Sequence, residues 1–149
     1  MKNLKNYISL TCFPHTTNVS KGVKMLKKKV LVVDDEKTLS ELIMESLILL
    51  GDYNVERAFN GREALEKYKS FFPDIVIMDV EMPIMDGYES SSQIKSFDPD
   101  ARILMLTGNP SDLRAHRTIK EGIALTLLQK PVKLIDLNRT ISENLSACA

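Results

Sequence analysis

From Val30 onward, short apolar runs alternate with longer segments whose apolar positions recur at helical spacing. There are five of each, which predicts successive strand–helix units around a parallel sheet. Val30-Leu31-Val32-Val33 shows no polar alternation, as suits a strand covered on both faces, and ends abruptly at Asp34-Asp35-Glu36. In the next segment Leu39, Leu42, Ile43, Leu47 and Leu50 form one stripe, with Thr38 and Glu41 in capping-box spacing at its start and Gly51 at its end. Tyr53 to Ala58 reads as an edge strand. Asn60 with Glu63 opens a short helix carrying Ala64, Leu65, Tyr68 and Phe72, and Pro73 ends it.

The third strand, Asp74-Ile75-Val76-Ile77-Met78, closes on Asp79, and a loop with Pro83 and Gly87 leads to a helix running to about Phe97. Its Ser90-Ser91-Ser92 run gives this helix the weakest signature of the five. Ala101 to Leu106 forms the fourth strand and ends at Thr107-Gly108; Pro110 marks a helix start, and Ser111 to Glu121 form that helix. Ile123 to Leu128 is the fifth strand, ending at Gln129-Lys130-Pro131, and Leu134, Leu137, Ile141 and Leu145 are the stripe of the last helix. No internal repeat, low-complexity tract or linker toward an output domain interrupts this series.

Composition sets limits on this picture. A chain of 149 residues is the size of one ordinary domain, and 44% apolar with 27% charged residues is the balance of a globular protein. No apolar run approaches the roughly 20 residues that span a bilayer. The net charge of zero conceals an asymmetry: residues 1–29 hold seven Lys and no acid, leaving 13 Lys plus Arg against 20 Asp plus Glu in the remainder. The leader lacks apolar periodicity, so residues 1–27 are expected to be a disordered basic extension without activity of its own. Its stretch Tyr7 to Phe13 is too short and polar-interrupted for a secretory signal and is followed by Pro14 and His15, which places the protein in the cytoplasm. Met25, followed by Leu26-Lys27-Lys28-Lys29, would serve as a start of its own. Cys12 and Cys148 fit neither a disulfide framework nor a zinc spacing.

In open sheets of this kind ligands bind beyond the carboxyl ends of the strands, where the strand order reverses. Four of the five strands end in groups with chemistry: Asp34-Asp35, Asp79, Thr107 and Lys130. If the order is 2-1-3-4-5, the first and third strands flank the reversal and their acids meet. Three carboxylates then share one pocket, each pair repelling by about 4 kcal/mol at ~4 Å and an effective dielectric near 20, which a divalent cation relieves. Every ligand on offer is an oxygen, with no His or Cys, so Mg²⁺ fits better than zinc. A carboxylate can attack phosphorus and form an aspartyl phosphate when the phosphoryl oxygens are neutralised. Mg²⁺ would take one oxygen, Lys130 another, and the Thr107 hydroxyl with nearby backbone amides the third. Singly, a strand-end Asp is a loop acid or helix cap, Lys130 a surface lysine and Thr107 a turn residue; only their joint placement carries the chemistry.

Taken together, Val32-Val33-Asp34-Asp35-Glu36, then Asp74-Ile75-Val76-Ile77-Met78-Asp79 with Met82-Pro83-Ile84-Met85-Asp86-Gly87, then Thr107-Gly108 and Lys130-Pro131 resemble the receiver domain of two-component response regulators. The resemblance covers about Lys28 to Leu145, so residues 28–146 would be the receiver domain. It implies a flavodoxin-like, doubly wound α/β fold: a five-stranded parallel sheet in the order 2-1-3-4-5 with helices on both faces. It further implies that Asp79 accepts a phosphoryl group from a histidine kinase or histidine phosphotransfer protein. Asp35, Asp79 and the backbone carbonyl of Glu81 would hold Mg²⁺ directly, with Asp34 acting through a bound water. A cis peptide between Lys130 and Pro131 is implied as well. Thr107 would swing toward the new phosphate and draw its loop inward, and the 111–146 face would present the altered surface to a downstream protein partner. Two features depart from or vary within the pattern. Leu127 stands where such domains often carry a switching Tyr or Phe, and Glu81 and Asn109 occupy positions that tune how long the phosphate survives.

With no DNA-binding or catalytic segment after Leu145, output is expected through protein docking or onward phosphate transfer, without direct nucleic-acid contact and without a membrane span. Two other classes would use the same residues differently. A Mg-dependent phosphohydrolase would turn over small phosphoesters through the same aspartyl chemistry. It usually needs a second acid two residues past the nucleophile, where Glu81 stands, and a cap over the substrate, for which no chain is spare. A pseudo-receiver would bind partners without phosphorylation, and the complete set of five pocket residues speaks against it. The reading that follows is a signalling domain, not an enzyme, that assists its own phosphorylation and dephosphorylation.

Overall fold

Each of the predicted strand–helix units is present in the computed structural model, which describes residues 25–146. The strands are β1 (Lys29–Val33), β2 (Asn54–Ala58), β3 (Ile75–Asp79), β4 (Ile103–Thr107) and β5 (Thr126–Gln129). Between and after them run α1 (Lys37–Gly51), α2 (Gly61–Phe71), α3 (Gly87–Phe97), α4 (Leu113–Lys120) and α5 (Leu134–Ser146). All strand pairs are parallel and the order is β2-β1-β3-β4-β5, the flavodoxin-like arrangement. The extension expected over residues 1–27 falls, as far as residue 24, outside the described residues, as do Cys12 and Cys148. Among the described residues no helix is long and apolar enough to cross a membrane.

The unalternated apolar runs are explained by the pleat, which sends successive side chains to opposite faces. Val30 and Val32 of β1, Ile75 and Ile77 of β3, and Leu104 and Leu106 of β4 meet Ile43 and Leu47 of α1 and Leu137 and Ile141 of α5. Their neighbours Leu31, Val33, Val76, Met78, Ile103 and Met105 face the other layer, against Ala64 and Tyr68 of α2, Ile94 of α3 and Ala115 of α4. A strand covered by helices on both sides has no solvent face on which a polar residue would be tolerated.

Several helix and strand ends differ from the local reading. The Thr38–Glu41 capping box does not form: Glu36 is the N-cap of α1, it makes no side-chain cap bond, and Thr38 already lies inside the helix. At the other end Gly51 is the last helical residue and the left-handed position falls on Asp52, at φ 53°. Gly51 is needed for a close approach, because a Cβ there would lie 2.0 Å from the Tyr53 ring and 2.9 Å from Asn138 Oδ1. α2 starts as read, with the Asn60 side chain accepting from the Glu63 N–H and the Glu63 carboxylate accepting from the Phe59 N–H, each at 2.9 Å. α4 begins after Asp112, later than Pro110 and Ser111 indicated. β5 begins at Thr126 because the amides of Ile123 and Ala124 bond back to the Thr118 carbonyl and close α4. The serines of α3 are tolerated because tertiary partners receive them: Ser90 Oγ donates to the Gly61 carbonyl at 2.8 Å, and Ser91 Oγ packs 3.5 Å from Met105 Sδ.

Candidate functional site

Val33 of β1 pairs with Met78 of β3, so the residues that follow, Asp34 and Asp79, leave the sheet side by side. The chain then turns toward α1 on one face and α3 on the other, and the diverging loops open a cleft of about 510 Å³. Its lining includes Asp34, Asp35, Asp79, Glu81, Arg114 and Lys130. The carboxylates of Asp34, Asp35 and Asp79 each offer an oxygen within 4.8 Å of the others. Asp34 and Asp79 are buried, at 1% and 4% exposure, and Asp35 is exposed at the rim.

Lys130 is the counter-charge. Its Nζ donates to Asp34 Oδ2 at 2.7 Å and lies 3.2 Å from Asp79 Oδ1. The Lys130 N–H donates to the Thr107 carbonyl at 2.8 Å, which anchors the end of β5 to β4, and the Lys130–Pro131 peptide is cis. One ammonium does not neutralise this pocket. Burial, and next the Asp34 carboxylate, push the Asp79 pKa up to about 6, although Lys130 pulls it down. Burial works against the Lys130 ammonium too, but its bonds to Asp34 and Asp79 outweigh that and raise its pKa above the ordinary value. Asp34 has a second partner, the Glu36 N–H, which donates to its Oδ1 at 2.9 Å and holds the carboxylate in place.

The loop after β3 is tightly constrained. Gly87 packs on the backbone of the aspartate itself: a Cβ there would lie 2.0 Å from the Asp79 carbonyl oxygen. The Gly87 N–H donates to the Val80 carbonyl at 2.9 Å, while the Met85 N–H donates to the Pro83 carbonyl at 2.8 Å across Ile84. Ile84 takes φ 73°, a left-handed conformation that a β-branched side chain adopts only under strain. Thr107 is buried at the end of β4, but its hydroxyl is turned into its own loop, donating to the Asn109 carbonyl at 2.8 Å and accepting from the Asn109 N–H at 3.0 Å. Leu127, at the position that departs from the receiver pattern, packs against the core on the α2–α4 side.

Arg114 was not singled out by the sequence. Its Nη2 bonds Asp112 Oδ2 at 2.7 Å, its Nη1 lies 3.3 Å from Asp86 Oδ2, and Nη2 lies 3.8 Å from Glu81 Oε1. Its spacing from the helix cap Asp112 hints at the first of these contacts, whereas the other two join segments far apart in the chain.

Three oxygen donors converging on one point, with a buried carboxylate left partly uncompensated, form a set suited to a hard divalent cation. Beside it, an ionised Asp79 has an ammonium within reach to hold an incoming anion. A family model described as the response regulator receiver domain matches residues 30–142. The chemotaxis protein CheY of Halobacterium salinarum is 38% identical over 123 residues, which are 82% of this chain and 100% of that protein. The response regulator TrrA of Thermotoga maritima, solved in complex with Mg(2+)-BeF, superposes with a TM-score of 0.68 at 35% identity, covering 78% of this chain and 97% of that one. The CheX–CheY–BeF3–Mg complex of Borrelia burgdorferi contains a chain with a TM-score of 0.72 at 29% identity, covering 78% of this chain and 88% of that one.

Proposed function

The chain belongs to the response regulator receiver family, and from that premise we propose that it is a phosphoacceptor switch in which Asp79 takes a phosphoryl group from a histidine kinase or phosphotransfer protein. The observation that carries this reading is the single lysine bridging two buried carboxylates, 2.7 Å from Asp34 and 3.2 Å from Asp79, at the one place where the strand order reverses. With its pKa at about 6, the Asp79 carboxylate is mostly ionised at neutral pH and available as a nucleophile. Its oxygen forms a bond to phosphorus as the donor's bond to phosphorus breaks, and the donor atom keeps the electron pair. Lys130 orients Asp79 and offers its ammonium to a phosphoryl oxygen. Asp35, Asp79 and the Glu81 backbone carbonyl would hold Mg²⁺, with Asp34 acting through water; when bound, the ion supplies positive charge to the phosphoryl oxygens. After transfer the Thr107 hydroxyl exchanges the Asn109 carbonyl for the phosphate and its loop moves with it. The 111–146 face then reports the change to a downstream protein, a reading supported by Leu113, Leu125 and Ile135, which are 77%, 50% and 62% exposed there.

Incubation of the full chain with acetyl phosphate and MgCl₂ tests this. A stoichiometric adduct that survives acid, is lost in base and is missing from Asp79→Asn is the expected result. Repeated turnover of a phosphoester would instead identify a phosphohydrolase, and no covalent change at all a receiver-like binding module.

A further inference from the structure

The cleft contains more negative charge than Lys130 accounts for. Asp34, Asp35, Glu36, Asp79 and Glu81 line it, and the cations lining it are Lys130 and Arg114. An approaching phosphodonor brings further negative charge to the same space. Arg114 stands in the first turn of α4, on the side of the cleft opposite the loop that follows β1. Of the five N–H donors of a guanidinium, three are directed at fixed partners. Nε and Nη2 grip the Asp112 carboxylate at 3.2 and 2.7 Å, and Nη1 reaches Asp86 at 3.3 Å. Asp112 and Asp86 are themselves tied down, as N-caps of α4 and α3. Among the described residues the remaining donors have only Glu81 in reach, and 3.8 Å is too long for a hydrogen bond.

We propose that Arg114 is a second phosphoryl-binding cation, which exchanges its loose contact with Glu81 for a non-bridging oxygen of the phosphodonor while the Asp112 pair holds the guanidinium in position. This rests on Asp79 being the acceptor. During transfer the Asp79 carboxylate oxygen bonds to phosphorus as the phosphorus–oxygen bond of an acyl phosphate breaks. The leaving carboxylate retains the electron pair, no proton moves, and Lys130 and Arg114 each steady one phosphoryl oxygen. A flat, forked donor anchored at one edge is well suited to this, because its free edge stays oriented without a further loss of side-chain freedom.

The test uses the full chain with acetyl phosphate as donor and with beryllium fluoride as an unreactive phosphoryl mimic, both in MgCl₂. For Arg114→Gln the rate of adduct formation at low donor and the affinity for beryllium fluoride are both expected to fall about tenfold, the loss of one charge-assisted hydrogen bond. Arg114→Lys recovers part of both, and Mg²⁺ affinity measured by calorimetry without donor stays within about twofold, since a lost cation does not weaken metal binding. Arg114→Gln behaving as the parent overturns the proposal. So does a loss that lysine fails to recover and that is accompanied by weaker Mg²⁺ binding, which would make Arg114 a structural strut. If the parent chain forms no adduct on Asp79, the phosphoacceptor reading is the one that fails, and this inference falls with it.

Discussion

The centre of the sheet and its β5 edge both carry apolar residues, but under different cover. Every residue of β3 and β4 is buried, and four of the five residues of β1 are. No residue of β5 is fully buried, and α4 beside it has only eight residues. The groups with chemistry stand mainly at the ends of the covered strands, where close packing holds Asp34 and Asp79 at fixed separation. The surface proposed for output includes these looser elements, α4 and β5, where local opening requires the least free energy. A switch needs both: a pocket that does not yield to the charge it receives, and an edge that does.

The largest expected effect tests the packing contrast directly. Ile77→Ala, in the middle of β3, is expected to destabilise by about 3–4 kcal/mol, and Leu128→Ala, on half-covered β5, by about 1–2 kcal/mol. Denaturant titration of the two variants measures this, and equal losses would mean that the edge is as firmly held as the centre.

Next is the charge stored in the rigid pocket. In metal-free buffer the folded-state pKa of Asp79 lies at about 6, above its ordinary 3.8, so the folded protein holds that proton more tightly than the unfolded chain does. The stabilising contribution is therefore complete below about pH 4 and is lost as pH rises through about 6. Asp79→Asn removes the penalty: little change is expected at pH 4, and a gain of about 2–3 kcal/mol at pH 8, at ~1.4 kcal/mol per pKa unit. Melting curves of both proteins across that range, with EDTA present, are the measurement. A flat difference would show that the pocket tolerates the charge and would remove the electrostatic half of the contrast.

The smallest effect concerns strain at the rim. Ile84 is 73% exposed and sits at φ 73°, so its side chain contributes little packing to set against the conformation it is forced into. Ile84→Gly is expected to stabilise by about 1 kcal/mol, the relief of strain less the added freedom of the unfolded chain. A loss of stability in thermal unfolding would mean that the turn is shaped by side-chain contacts of Ile84.

Much of this was legible from the residues. The strand–helix order, the doubly covered strands and the Asn60 cap follow from periodicity and side-chain type, which act over a few neighbouring positions. The errors lie where a distant partner prevailed over a local preference. The first turn of α1 follows a bend held by Asp34, leaving Thr38 inside the helix, and Gly51 serves a contact with Tyr53 and Asn138 instead of a left-handed turn. The serines that weakened α3 in the sequence are received by Gly61 and Met105, residues contributed by α2 and β4.

By itself the sequence determined which groups stand at the strand ends and that their oxygens suit a hard cation, because chemical type and strand termination are written locally. Only the tertiary structure decided that Asp34 and Asp79 share one ammonium from a residue 96 positions beyond Asp34, and that Arg114 enters the same cleft. Those outcomes depend on desolvation and on charge separations measured through space, and the path of the chain sets such distances only once the β1–β3 pairing has brought its far-apart segments together.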